Sequence, residues 1–138
     1  MRLSERQIIE GAQWLALSTH SDARGTLTVF DTDELPFEMR RYFFIDSGPG
    51  VARGEHANSS HQLIASIRGG VTCELDNGTG KASVHIEPGT DALWVTPGVW
   101  LRLHSFAPDT LLGVATDKRY ADTRYWMTPQ PQLVRSST

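Results

Sequence analysis

Between residues 53 and 62 the chain reads Arg53-Gly54-Glu55-His56-Ala57-Asn58 and then, after two serines, His61-Gln62. On a strand, side chains alternate faces, so His56 and Asn58 are expected on one side and Arg53, Glu55 and Ala57 on the other. An imidazole changes charge near neutral pH and can take a proton and give it back. A lone His projecting from a strand into a barrel is therefore a candidate proton-transfer group. A second His two residues further on would suggest a metal-binding pair, but Asn58 stands there. The competing reading of His56 is a structural ring satisfied by a backbone carbonyl.

The elements that must position this ring read as short strands. Ser4 to Gln7 fits the capping-box pattern, and Ile8, Ile9 and Ala12 could line one side of a short N-terminal helix, with a strand-forming or disordered N-terminus as the alternative. After that the period changes to two. Strands are expected over residues 14–17, 26–30, 39–45, 62–67, 71–75, 81–86, 93–95, 99–103 and 111–115. Turn signals separate them at Asp22-Ala23-Arg24-Gly25, Ser47-Gly48-Pro49-Gly50, Gly69-Gly70, Pro88-Gly89 and Thr96-Pro97-Gly98. Asp76-Asn77-Gly78 predicts a hairpin with a tight type I′ turn, because Asn-Gly tolerates positive φ. The tail from Tyr120 to Thr138, with Pro129 and Pro131, is expected to run over the surface. Short strands at spacings of roughly 8–12 residues indicate an all-β sandwich or barrel. The long helical patterns of a Rossmann or TIM architecture are missing.

Composition narrows the class. A chain of 138 residues is long enough for one domain with a real core, expected over 1–138. Hydrophobic residues make up 39% and charged residues 21%, as in an ordinary soluble protein. A net charge of −3 gives no broad basic face, which argues against nucleic acid, although local arginines could bind a diphosphate. The single cysteine, Cys73, excludes an internal disulfide and a multi-thiolate zinc site, and is expected to be a small buried apolar residue. No apolar run approaches the ~20 residues of a membrane span, and the N-terminus has no secretory pattern. The cytoplasm, a reducing compartment, is the expected location.

Several pieces, in order along the chain, resemble the cupin family of dTDP-sugar 3,4-ketoisomerases. They are Asp22-x-Arg24-Gly25-x-Leu27, Leu35-Pro36-Phe37-Glu38-Met39-Arg40-Arg41, Arg53-Gly54-x-His56-Ala57 and Gln62-Leu63-Ile64. Next come Leu75-Asp76-Asn77-Gly78, Pro97-x-Val99-Trp100, Phe106 and Tyr120-x-Asp122-x-x-Tyr125. The R-G-x-L and R-G-x-H pieces also echo the dTDP-sugar 3,5-epimerases. The resemblance implies a cupin-type jelly-roll barrel, a homodimer and a place in deoxysugar or natural-product biosynthesis. The departures are specific. Asn58 replaces the second His of R-G-x-H-x-H, and the stretch from His56 to Gln62 is one residue short. Phe43-Phe44 replaces Tyr-Tyr, and Leu101 stands where His or Arg is common. Three groups able to hold or move protons have become an amide, a phenyl and an isobutyl.

The family reaction moves a keto group from C4 to C3 of a 6-deoxyhexose through an enediol(ate). It needs a base for the C3 proton, for which His56 is the candidate. Asn58 could hydrogen-bond a keto oxygen or its oxyanion but cannot accept a proton at neutral pH. Arg24, Arg41 and Arg53 are candidate diphosphate ligands, since guanidinium forks match phosphate oxygens, with solvated surface charge as the alternative. Phe43 and Gln62 are further candidates for the pocket, and His61 could join it, although a half-exposed strand His is its more common role. Trp100 or Trp94 could stack on a thymine base, although such a Trp is more often simply core. His20, His85 and His104 carry no motif and read as structural or surface groups.

Cupins that bind Fe, Mn or Ni do so through three His and a Glu. Here only His56 of the usual pair remains, no Glu follows at the expected place, and Leu101 stands in place of the later His. No metal and no other cofactor are expected. Three functions stay open: a nucleotide-sugar 3,4-ketoisomerase with a reduced site, a repurposed barrel that cyclises or isomerises an apolar natural-product intermediate, and a non-catalytic nucleotide-sugar binding module.

Overall fold

A computed structural model describes residues 6–138. Ser4, the cap of the expected N-terminal helix, lies outside the described residues. From Gln7 onward the chain is extended rather than helical. Strand β1 (Gln7–Ile9) turns at Gly11 and pairs antiparallel with β2 (Ala12–Leu15). Ile8 and Ile9 pack against the core from this strand. Their branched side chains are stiff at χ1 and suit a pleated surface better than a helix.

The remaining strands are β3 (Ser18–Asp22), β4 (Gly25–Val29), β5 (Arg41–Ser47), β6 (Arg53–Asn58), β7 (Gln62–Arg68), β8 (Val71–Asp76), β9 (Lys81–Ile86), β10 (Ala92–Val95), β11 (Trp100–His104), β12 (Thr110–Thr116) and β13 (Tyr125–Trp126). They form a six-stranded sheet in the order β1-β2-β10-β7-β12-β5 and a five-stranded sheet in the order β13-β6-β11-β8-β9. The two sheets enclose one apolar core, giving the expected jelly-roll barrel. Among the described residues, strands β3 and β4 pair only with each other.

The core between the sheets takes alternate residues from facing strands. Val71, Cys73 and Leu75 of β8 and Leu101 and Leu103 of β11 meet Leu93 and Val95 of β10, Ile64 of β7 and Leu112 and Val114 of β12. The outer face of the six-stranded sheet is covered too. Leu63 and Ala115 pack there against Phe30, Leu35, Phe37 and Met39 from the irregular segment before β5. Among the described residues, no helix is long and apolar enough to cross a membrane.

Two local readings need correction. The Asn77-Gly78 hairpin joins β8 to β9, but Asp76 pairs with Lys81, so the loop is longer than a two-residue I′ turn. The Asn77 side chain explains why. Its Oδ1 accepts from Thr79 N, Thr79 Oγ1 and Gly80 N, while its Nδ2 donates to the Glu10 carbonyl. The C-terminal tail runs over the surface as expected, but its last residues form a helix, α1 (Pro131–Ser137), with Pro131 in its first turn. Val134 on that helix is buried, and the carbonyl of Gly98 accepts the backbone N–H of Gln130.

The feature that matters most for the site is an irregularity in β6. His56 lies opposite Leu101, yet Gly54 lies opposite Arg102, so one residue of β6 has no partner on β11. Gly54 (φ +84°) and Glu55 (φ +64°) both lie in the left-handed region. This is a β-bulge, which inserts one residue and re-aims the side chains beyond it. A Cβ at Gly54 would lie 2.9 Å from the Leu101 carbonyl oxygen, so sterics as well as φ require glycine. Gly54→Ala is expected to destabilise the fold by about 2 kcal/mol, read as a lower urea midpoint. An unchanged midpoint would mean that the bulge is not needed.

Candidate active site

The bulge overturns the simple alternation expected for residues 53–58. Arg53 and His56 should point to opposite faces on a regular strand, yet both line the same cavity of about 300 Å³. The extra residue, Glu55, absorbs the odd step. Asn58 follows His56 on the same face, as alternation requires, and lines the cavity too.

Other strands complete the walls. Strand β5 supplies Arg41, Phe43 and Ile45, and β7 supplies Gln62 and Ile64. Leu101 and Leu103 of β11, Val114 of β12 and Tyr125 of β13 close it. Polar groups and apolar walls thus meet in one concave space, the usual composition of a small-molecule site.

His56 is held by packing rather than by hydrogen bonds. Its Nδ1 is buried and has no hydrogen-bond partner among the described residues. The ring sits edge-on to Tyr125, with centroids 4.8 Å apart and planes at 72°. Burial pushes the imidazole below its ordinary value of 6.5, with a smaller opposing effect from its own backbone. The ring is therefore neutral at pH 7, the form that can accept a proton.

Asn58 is buried, and its Oδ1 accepts from both the backbone N–H and the hydroxyl of Ser60. That pairing fixes the amide plane and leaves the NH2 group as its hydrogen-bonding face for a ligand.

The three candidate arginines divide. Arg41 stacks on aromatic rings, its guanidinium carbon 5.0 Å from the Phe43 centroid and 5.6 Å from that of Tyr120. Its Nε donates a long hydrogen bond of 3.4 Å to Thr116 Oγ1. Arg53 donates from Nε to Ser47 Oγ at 2.6 Å. Neither is paired with a carboxylate among the described residues, so both keep charge for an anionic ligand. Arg24 is different. It sits on the exposed turn between β3 and β4, forks onto Asp22, and does not line the cavity.

Two more expected pocket residues lie elsewhere because of strand parity. On β11, Leu101 and Leu103 face inward, so Trp100 faces the other side, beside Lys81, Met127 and Pro129. Immediately before β7, His61 turns to the outer face of the six-stranded sheet while Gln62 and Ile64 face in. There it stacks on Phe37 at 5.6 Å, and its Nδ1 accepts from Trp94 Nε1 at 3.1 Å. Trp94 is thereby placed outside the cavity as well. His85 and His104 lie near Glu87 and Glu74, and His20 lies on exposed β3.

Tyr125 lines the cavity but was not singled out from sequence as a site residue. It pairs with Asn58 across β13 and β6, a contact between residues far apart in the chain. It falls in the Tyr120-x-Asp122-x-x-Tyr125 piece of the resemblance, but that piece does not say which way its ring points. Among the described residues, no three His, Cys, Asp or Glu side chains are grouped to hold a metal ion.

The family model described as WxcM-like, C-terminal (FdtA) matches residues 10–131. The chain belongs to this family. A TDP-4-oxo-6-deoxy-alpha-D-glucose-3,4-oxoisomerase of Aneurinibacillus thermoaerophilus is 28% identical over 107 residues, covering 75% of this chain and 77% of that protein. Among solved structures, the sugar 3,4-ketoisomerase QdtA of Thermoanaerobacterium thermosaccharolyticum, in complex with TDP, superposes with a TM-score of 0.80. It is 19% identical, over 94% of this chain and 96% of that one. WlaRA, a TDP-fucose-3,4-ketoisomerase of Campylobacter jejuni, gives a TM-score of 0.76 at 24% identity, over 92% and 96%. These likenesses carry the fold.

The two half-buried histidines set a pH dependence of stability. His61, like His56, has its pKa lowered by burial; Asp117 opposes this to a smaller extent and the Lys118 charge adds to it. Protonation of Nδ1 would also break the bond from Trp94. A His that binds its proton more weakly when folded leaves stability intact above its unfolded value. Stability is lost as pH falls through that value, because the unfolded chain takes up more protons. Tm is therefore expected to be lower near pH 5.5 than at about pH 7.5. His61→Gln, which can still accept from Trp94, should lose less over the same interval.

Proposed function

We propose that this chain is a nucleotide-sugar 3,4-ketoisomerase, converting a dTDP-4-keto-6-deoxyhexose to its 3-keto isomer. The observation that carries this reading is a neutral imidazole, His56, facing a cavity flanked by two arginines without carboxylate partners. The relatives support the substrate class. QdtA has been seen with TDP, and a His-to-Asn form of it with TDP-4-keto-6-deoxyglucose.

The chemistry follows from the parts. Arg41 and Arg53 take the diphosphate, leaving the sugar to enter the cavity. The apolar walls from Phe43, Leu101 and Val114 suit the deoxygenated C6 methyl. The 4-keto group acidifies the C3 hydrogen, and His56 removes it to give an enediolate. Asn58 donates from its NH2 group to the oxygen that gains charge. The imidazolium then returns its proton to C4.

In deuterated water, the protein and dTDP-4-keto-6-deoxyglucose should yield the 3-keto isomer with label at carbon. His56→Ala should lower both exchange and product formation by at least about 100-fold. Loss of product with no loss of exchange would remove His56 from the role of carbon base. The acid limb of the kcat/KM profile should fall below the ordinary histidine value of 6.5. Replacing Arg41 or Arg53 with Ala should weaken dTDP binding by about tenfold. Arg24→Ala should leave it within about twofold if the exposed Asp22 pair is its only role.

We also infer a homodimer. The free edge of β5 closes the six-stranded sheet, and Phe44, Ile67 and Leu27 stand exposed. An isolated ribbon such as β3–β4 is marginal in water unless something packs on it. Sedimentation should give about twice the chain mass of 15.3 kDa. Ile67→Glu should shift the protein toward monomer, and a wild-type protein that sediments as monomer would overturn the inference.

A further inference from the structure

We propose that Tyr125 is the second proton-handling group of the site, relaying the hydroxyl proton between the two substrate oxygens. The proposal rests on the ketoisomerase reading. Moving a keto group between neighbouring carbons moves two protons. One passes from C3 to C4 and the other from the C3 oxygen to the C4 oxygen. His56 accounts for the first.

The residues around the cavity leave one group for the second. Arg41 and Arg53 do not release protons at any working pH. Asn58 and Gln62 are amides, and Asn58 Oδ1 is already occupied by Ser60. Tyr125 carries the only hydroxyl among the described residues lining the cavity. A phenol both donates and accepts, as a relay must.

Its position is set by the backbone. Tyr125 pairs with Asn58 across β13 and β6, so it stands beside the His56–Asn58 face. Its ring lies 4.8 Å from the imidazole, and the residue is 43% exposed. The phenol therefore sits next to the carbon base, at the open side of the cavity rather than in its apolar depth.

The step balances without another reactant. His56 takes the C3 proton, the C3–H electron pair forms the C3–C4 double bond, and the C4 carbonyl pair moves onto the C4 oxygen. The Tyr125 hydroxyl gives its proton to that oxygen and receives the proton of the C3 hydroxyl. The C3 oxygen becomes the carbonyl as the double-bond pair takes the proton from His56 at C4. Both residues end as they began.

The test is Tyr125→Phe, which keeps the ring against His56 and removes only the hydroxyl. Product formation should fall by at least about 100-fold, with KM within about threefold. Deuterium exchange at C3 should stay within about threefold of wild type, because the carbon base is untouched. Product formation within threefold of wild type overturns the proposal. So does parallel loss of exchange and product, which would make Tyr125 a positioning residue for His56. A wild-type protein with neither exchange nor product removes the ketoisomerase reading itself, and this relay with it. Should the variant fail to fold, 3-fluorotyrosine at position 125, whose phenol is more acidic, should move the alkaline limb of the kcat profile to lower pH. An unmoved limb overturns the proposal.

Discussion

One extra residue in β6 sets the geometry of the site. Without the bulge at Gly54-Glu55, Arg53 would point away from His56, and a cation and a base could not share a cavity. The cost is local: a left-handed φ at a glutamate and a glycine pressed against the Leu101 carbonyl. The surrounding ladders hold this strain in place. Strand β6 is paired on both sides, by β11 along its length and by β13 at its end. Each partner adds a function-bearing face, Leu101 from one and Tyr125 from the other.

The cavity is divided in character. One part is cationic and polar, built from Arg41, Arg53, Gln62 and Asn58. The other is hydrocarbon, built from Phe43, Ile45, Ile64, Leu101, Leu103 and Val114. The arginines are prepared differently from ordinary surface charges. Arg24 spends its fork on Asp22, whereas Arg41 is steadied by aromatic faces and Arg53 by a hydroxyl. Aromatic and hydroxyl contacts orient a guanidinium without neutralising it. A diphosphate bound there, as proposed, would meet two guanidinium groups not paired with a carboxylate among the described residues.

Strands with clean alternation were legible from sequence, and β8, with Val71, Cys73 and Leu75 inward, is the plainest case. The His56–Asn58 pairing was legible for the same reason. What failed was parity wherever a local feature intervened. Nothing in the string Arg53-Gly54-Glu55-His56 announces that Glu55 has no partner on β11. Trp100 reads as a pocket residue until Leu101 is known to face inward. His61 lies next to a cavity residue in sequence and on the opposite face in space. Gly98 and Gln130 meet through a backbone hydrogen bond across thirty-odd residues, so the tail expected at the surface also carries a short helix docked through Val134. Tyr125 belongs with these. It is part of a quoted motif, but its place at the cavity wall comes from a strand of two residues laid beside the end of β6.

The single thiol has a practical consequence. Cys73 is buried between the sheets, and desolvation, reinforced by Glu74, pushes its pKa up to about 12. Only thiolates react readily with alkylating reagents, and this one is both protonated and inaccessible. The native chain is thus expected to react only slowly with maleimides. A cysteine introduced at the rim would be the sole attachment point for a fluorophore or spin label, with no need to strip the background first.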